Sequence, residues 1–354
     1  MIRWILIAFV AILLYSYSIL RYYDAWKRGK IPVLFYKLMH AVSLAVCVAV
    51  WLQLPGCISD VFVLIGSAFS SVYCAVMLLT PVLCFLRGMI RFLGKRFHWR
   101  GKVYRFINHP LKLILCFLIL TAVAGVFGFI NERTVRRTEY PISLDDKREV
   151  KKMSVVFLLD LRIGSRMTQA ELSRLIEQIN DTRPDLILFG GNTIGKGASS
   201  QTVNDTIGKL QKLSAVEGIY LTEGPEDAGI LEQRAEELEK RGLHFLRDEC
   251  IFLNNGFQLV GCRESGNEKR KPLSYTLSLL DPQRPSLLLS YDRVEEEILQ
   301  TKRMDVVLSR GLEQQYGCEK NGSAYFLGTS GLRAAVFPGR YRIPSEFVIC
   351  TLTP

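Results

Sequence analysis

The chain has 354 residues, enough for more than one domain, and a formal net charge of +11 from 45 Lys and Arg against 34 Asp and Glu. Residues before about 131 are dominated by long apolar runs and the remainder has an ordinary globular composition, which excludes one evenly built soluble domain. Much of the positive charge gathers in two loops between apolar runs, so it reads as membrane orientation and not as a nucleic-acid surface.

Four runs, 4–20, 33–54, 61–86 and 111–130, are long enough to cross a bilayer. The first reads as a retained helix, because bulky Leu20, Arg21, Tyr22 and Tyr23 follow it where a signal peptide would end in small residues. Arg21, Lys27, Arg28 and Lys30 follow the first run, and Arg87, Arg91, Lys95, Arg96, Arg100, Lys102 and Arg105 follow the third. The loop at 55–60 has neither Lys nor Arg. The positive-inside rule then places the two basic loops in the cytoplasm and everything after the fourth helix outside. The expectation is a protein integral to the cytoplasmic membrane, with a four-helix transmembrane region at 1–131, a juxtamembrane linker at 132–152 and an extracytoplasmic domain at 153–354. The lipid bilayer is the partner this implies. The basic, aromatic stretch 87–112 is read as lying on anionic headgroups.

Histidine and cysteine point away from a structural zinc site. His40, His98 and His109 are isolated, and Cys47, Cys74, Cys84 and Cys116 sit in apolar runs as small hydrophobes. Cys57, Cys250, Cys262, Cys318 and Cys350 lie elsewhere, where an oxidising location permits disulfides. Cys250 and Cys262 flank a predicted hairpin turning at Asn254-Asn255-Gly256, but spacing alone does not pair them.

In the soluble part, 132–152 is charged and aperiodic, with an edge strand expected near 140–144. Two short β-rich runs follow, 155–159 and 186–189. Between them Thr168-Gln169-Ala170-Glu171 has a capping-box pattern, and Leu172, Leu175, Ile176 and Ile179 recur at helical spacing. Strand, helix and parallel strand put the residues after each strand at one sheet edge, where open α/β sheets bind ligands. The remaining pattern predicts helices near 203–213, 228–241 (capped by Asp227), 273–280 and 294–301. It predicts strands near 218–222, 245, 251–253, 258–260, 286–290, 304–309, 324–327 and 347–352. This is α/β packing around two sheets.

Five strand ends carry polar residues: Asp160-Leu161-Arg162, Gly190-Gly191-Asn192, Gly224-Pro225-Glu226-Asp227, Ser290-Tyr291-Asp292 and Ser309-Arg310-Gly311-Leu312-Glu313. Their order and spacing over about 135–354 resemble the calcineurin-like metallophosphoesterases, most of all the membrane-anchored bacterial branch. That family carries D-x-H, G-D, G-N-H-D, S-H and G-H-T-H in these places. The resemblance implies a four-layer α/β/β/α sandwich behind N-terminal all-α transmembrane helices. It also implies a pair of divalent metals (Mn, Mg or Zn) and hydrolysis of lipid-linked or envelope phosphoesters. Residue by residue the metal chemistry does not carry over. Asp160 is kept, but Arg162, Asn192, Glu226 and Tyr291 stand where the family has His, Asp, His and His. Gly311 and Glu313 stand for the last two His, while Asp227 remains.

From residue 132 onward the chain has one histidine, His244, away from every strand end. A two-metal site needs several imidazoles and a bridging carboxylate to hold ions about 3.5–4 Å apart. Arg162 and Arg310 add positive charge, each worth about 4 kcal/mol against a monovalent cation at ~4 Å and surface-like dielectric. The expectation is a retained fold without catalytic residues or metal, Asp160 and Asp227 being the residual candidate ligands. Asp160, Asn192 and Asp227 then serve loop geometry, or Arg162, Asn192 and Arg310 line an anion pocket for a phosphate-bearing lipid or envelope ligand.

Three functions compete on this reading: a catalytically inactive, membrane-anchored binding or regulatory protein; a hydrolase whose rebuilt site of Asp160, Glu226, Asp227, Asp292 and Glu313 binds one hard cation; and a bundle whose outer domain is a platform for another membrane protein.

Overall fold

The computed structural model describes residues 85, 88–97, 101, 110–144, 151–293, 304–311, 316–333, 340 and 343–353. The first three apolar runs, apart from Phe85, lie outside them. So do the predicted helix at 294–301, Glu313, His40, His98, His109, Cys47, Cys57, Cys74, Cys84 and the side chain of Cys116.

The chain divides into two units, with a boundary at Ile130–Asn131. In the first unit the fourth apolar run is helical, as part of α1 (Pro110–Arg133). Ile119, Val123, Val126, Phe127 and Ile130 are exposed along it at helical spacing. Among the described residues no helix is long and apolar enough to cross a membrane.

The second unit is built on two six-stranded sheets. The first takes β1 (Val135–Ser143), β2 (Met153–Leu158), β3 (Leu186–Phe189), β4 (Ile219–Leu221), β5 (Leu243–Phe245) and β12 (Ser345–Thr353), in the order β1-β12-β2-β3-β4-β5. The second takes β6 (Glu249–Phe252), β7 (Gln258–Gly261), β8 (Ser286–Leu289), β9 (Val306–Arg310), β10 (Gly317–Asn321) and β11 (Ala324–Thr329), in the order β10-β11-β9-β8-β7-β6. Pleating sends alternate residues of β2 to opposite faces. Val156 and Leu158 pack with α2 (Gln169–Asp181) and α3 (Ser200–Leu210), while Val155 and Phe157 meet Leu259, Leu287 and Leu308 of the other sheet. The outer face of the second sheet packs Val260, Leu288 and Val307 against Leu277 of α6 (Leu273–Ser278). Helix, sheet, sheet and helix therefore follow one another, and strands buried on both faces read as unbroken apolar runs.

Strands β2, β3, β4 and β5 run parallel, as do β7, β8 and β9. The loops after β2, β3 and β4 thus leave one edge together, and those after β8 and β9 leave one edge of the second sheet.

Several expectations are corrected. The stretch 132–152 is not a linker throughout: residues 135–143 form β1, which pairs in parallel with β12 along its whole length. Among its side chains only Ile142 is buried, so its composition looked like that of a linker. The single helix predicted at 228–241 is two, α4 (Ala228–Gln233) and α5 (Ala235–Lys240), parted at Arg234. Strand β10 was not predicted, because Gly317-Cys318-Glu319-Lys320-Asn321 has no apolar alternation. Cys250 stands opposite Val260, two positions short of Cys262, and both thiols are free.

The capping box is formed. Thr168 Oγ1 accepts from Glu171 N, and Thr168 N donates to Glu171 Oε2 at 2.8 Å. The Glu171 carboxylate also pairs with Arg133 and, at 3.1 Å, with Arg333 Nη2. Burial raises the Glu171 carboxyl, but Arg333, the Thr168 N–H and Arg133 outweigh it and hold the group below its ordinary 4.5. A folded-state value below the unfolded one stabilises the fold above about pH 4.5, and the contribution is lost as pH falls through the lowered value. Glu171→Gln keeps a side chain able to complete the capping box but takes the carboxylate from buried Arg333. It is therefore expected to remove part of the acid dependence of stability and to cost about 3 kcal/mol near neutrality, the lower end for breaking a buried charge pair from one side. Urea unfolding at pH 7 and pH 4 checks this; equal acid dependence in both proteins would refute it.

Candidate functional site

The site is assembled from backbone that turns sharply after each strand. Asp160, Arg162 and Asn192 all adopt left-handed backbone, with φ of 55, 53 and 52°. Asn tolerates this conformation, whereas Arg rarely adopts it, and such residues cluster where the surrounding structure fixes them. Gly191 has φ 111°, and a Cβ there would lie 2.9 Å from the Glu223 carbonyl group, so the loops after β3 and β4 can touch only through glycine.

Asp160 and Arg162 point at one another. Arg162 Nη2 donates to Asp160 Oδ1 at 3.0 Å, and Arg162 Nη1 donates to Glu226 Oε1. Only 4% of the Arg162 side chain and 3% of that of Asp160 are exposed. Burial works against the guanidinium's charge, but Asp160 and Glu226 override it and hold Arg162 above its ordinary value. Asn192 Nδ2 donates to Asp160 Oδ1 at 2.7 Å and to Tyr291 Oη at 2.9 Å, while its Oδ1 accepts from Glu226 N at 2.9 Å. Tyr291 thereby ties the second sheet's loop to the first. Burial pushes its phenol well above the usual tyrosine range. Arg310, the most exposed member, donates from Nη1 to Tyr291 Oη at 3.2 Å, and its Nε lies 3.9 Å from Asp160 Oδ2.

Asp227 behaves otherwise than predicted. Its side chain makes no helix cap. It turns back to accept from four backbone N–H groups: Gly224 at 2.8 Å, Asn192 at 3.3 Å, Thr193 at 2.6 Å and Ile194 at 3.2 Å. Burial pushes its carboxyl up to about 7, against the pull of those donors. The residue is a bracket between two loops.

Five of the polar strand-end residues are thus brought together around Asp160: Arg162, Asn192, Glu226, Tyr291 and Arg310. Among the described residues the rebuilt carboxylate site is not assembled. Asp227 faces backbone, and Asp292 accepts from Ser265 N at 2.6 Å and Arg270 Nη1 at 3.1 Å. Asp160 and Glu226 meet only across Arg162. Of the three anion-pocket candidates, the Nη groups of Arg162 and the amide of Asn192 are engaged with the protein's own side chains, while Arg310 is half-exposed. Sequence reasoning missed Glu223, which is fully buried. Its Oε1 accepts from Asn267 Nδ2 at 2.6 Å and Glu264 N at 3.3 Å, and burial raises its carboxyl. The available signal was an acidic residue directly before Gly224.

No protein-family model matches the chain. An uncharacterized metallophosphoesterase of Helicobacter pylori strain J99 is 24% identical over 240 residues, 61% of this chain and 63% of that protein. One from a second Helicobacter pylori strain is 25% identical over 178 residues, 48% of this chain and 46% of its own length. One from Aquifex aeolicus is 21% identical over 247 residues, 65% of this chain and 90% of its own. The chain is distantly similar to these metallophosphoesterases. It spans less than two thirds of the length of the two Helicobacter relatives. Among solved structures, a Thermus thermophilus protein is 17% identical with a TM-score of 0.41, over 51% of this chain and 91% of that one. A dimetal phosphatase from Danio rerio is 13% identical with a TM-score of 0.36, over 51% and 88%.

The names of these relatives imply divalent metals, and the side chains among the described residues do not fit them. Among the described residues no group of three or more His, Cys, Asp and Glu is placed to hold an ion. The one histidine after residue 132, His244, stacks on Tyr220 with ring centroids 5.1 Å apart and has Nδ1 2.8 Å from Glu239 Oε2. The space between Asp160 and Glu226 is filled by a guanidinium.

Proposed function

We propose that this chain is a membrane-anchored, metallophosphoesterase-fold protein that does not hydrolyse phosphoesters by a two-metal route. On this reading it acts by binding or regulation at the bacterial envelope. The observation that carries the proposal is Arg162, a buried cation in the loop after β2 bonded to both Asp160 and Glu226. A nucleophilic hydroxide needs metal-bound water, and the side chains here present a closed network of charge-assisted bonds. Anchoring is supported by the four apolar runs, the basic loops between them and the exposed apolar stripe from Ile119 to Ile130. Arg310, half-exposed beside Tyr291, is the group most open to a phosphate-bearing lipid or an acidic partner.

The purified full-length chain, incubated with Mn²⁺ and an aryl phosphodiester, is expected to show no turnover above the buffer rate. Turnover that Asp160→Ala abolishes would replace this reading with that of a working hydrolase.

A further inference from the structure

Two carboxylates, Asp160 and Glu226, come from loops after different strands and converge on one buried position. Leaving them there without a cation is strongly unfavourable. The guanidinium of Arg162 fills that position, with Nη2 on Asp160 at 3.0 Å and Nη1 on Glu226. Its Nε is buried without a partner, so two of its three nitrogens serve the carboxylates alone. The left-handed backbone at both Asp160 and Arg162 lets a residue two positions on turn back over its neighbour. Asn192 Nδ2 at 2.7 Å and Arg310 Nε at 3.9 Å complete the surroundings of the Asp160 carboxylate. Arg is suited to this place because it keeps its charge when buried and offers two parallel donors.

We infer that Arg162 is a built-in counter-ion occupying the cation position of a latent divalent-cation site made by Asp160 and Glu226. The fold is then independent of metal as it stands, and removing the guanidinium converts the pocket into one that takes up a hard divalent ion through carboxylate oxygens. This rests on the same side chains as the proposed function but not on the absence of turnover, and its readout is thermal.

The test follows the melting temperature of the full-length protein in EDTA and in rising Mn²⁺ alone. The native chain is expected to melt at the same temperature throughout. Arg162→Met is expected to melt lower in EDTA and to recover as Mn²⁺ is added. A triple variant, Asp160→Asn with Arg162→Met and Glu226→Gln, is expected to regain part of the lost temperature in EDTA and to ignore Mn²⁺. If Arg162→Met fails to fold in either condition, folding of the triple variant still supports the assignment and its failure overturns it. The inference is also overturned by a Mn²⁺ response of the native chain that Asp160→Asn removes, by a folded Arg162→Met indifferent to Mn²⁺, or by a triple variant that responds like Arg162→Met.

Discussion

Asp227→Ala is expected to destabilise the soluble unit by about 4 kcal/mol or more. The carboxylate is fully buried and accepts from the backbone N–H groups of Gly224, Asn192, Thr193 and Ile194. Each buried donor left unsatisfied costs about 1–3 kcal/mol. Four such donors exceed what water entering a methyl-sized gap can repair. A domain stable by only about 5–15 kcal/mol would be brought close to its folding limit. Asp227→Asn keeps one acceptor oxygen and sets an amide N–H₂ against the remaining donors, so it should fall between the native chain and Asp227→Ala. Urea midpoints of the three proteins decide the matter. A loss below about 1 kcal/mol in Asp227→Ala would mean that the two loops hold their shape without the bracket.

Arg333→Met is expected to cost about 3 kcal/mol, the lower end for breaking a buried charge pair from one side. Arg333 is 2% exposed and heads the largest fully buried side chains. Nη1 donates to the carbonyl oxygens of Glu132 at 2.8 Å and Leu332 at 3.0 Å, and Nη2 lies 3.1 Å from Glu171 Oε1. Glu132 is in the last turn of α1, whose final carbonyls have no partner within the helix. The Ser345 hydroxyl also donates to Glu132 O, so the loss there is partial. Glu171 keeps Arg133, which is why the lower figure is expected. The double variant Arg333→Met with Glu171→Gln should lose less than the sum of the single losses, because the second change removes the carboxylate that the first leaves exposed to unpaired burial. Additive losses would show that Arg333 acts by filling space alone.

Much of the architecture was legible because it is written in local periodicity. Thr168 and Glu171 formed the predicted box, and Leu172, Leu175, Ile176 and Ile179 are the buried face of α2. Leu186–Phe189 is the predicted strand. The parallel pairing of β2 and β3 followed from a helix placed between two short apolar runs. Strand β10 escaped, and of β1 only the end near 140–144 was expected, because edge strands bury few side chains and no alternation marks them.

At the site, residue order alone sets which side-chain types stand after each strand, and with them the want of imidazoles that a metal pair needs. Where each side chain turns depends on contacts between distant segments. Asp227 follows Gly224 and precedes a helix, so local rules assign it a cap. The loop after β3 presents three donors that outcompete the helix end for its carboxylate. Arg162 and Glu226 are 64 residues apart, and no local rule pairs them. Their bond exists because parallel strands deliver both loops to one sheet edge, where burial makes each charge depend on the other.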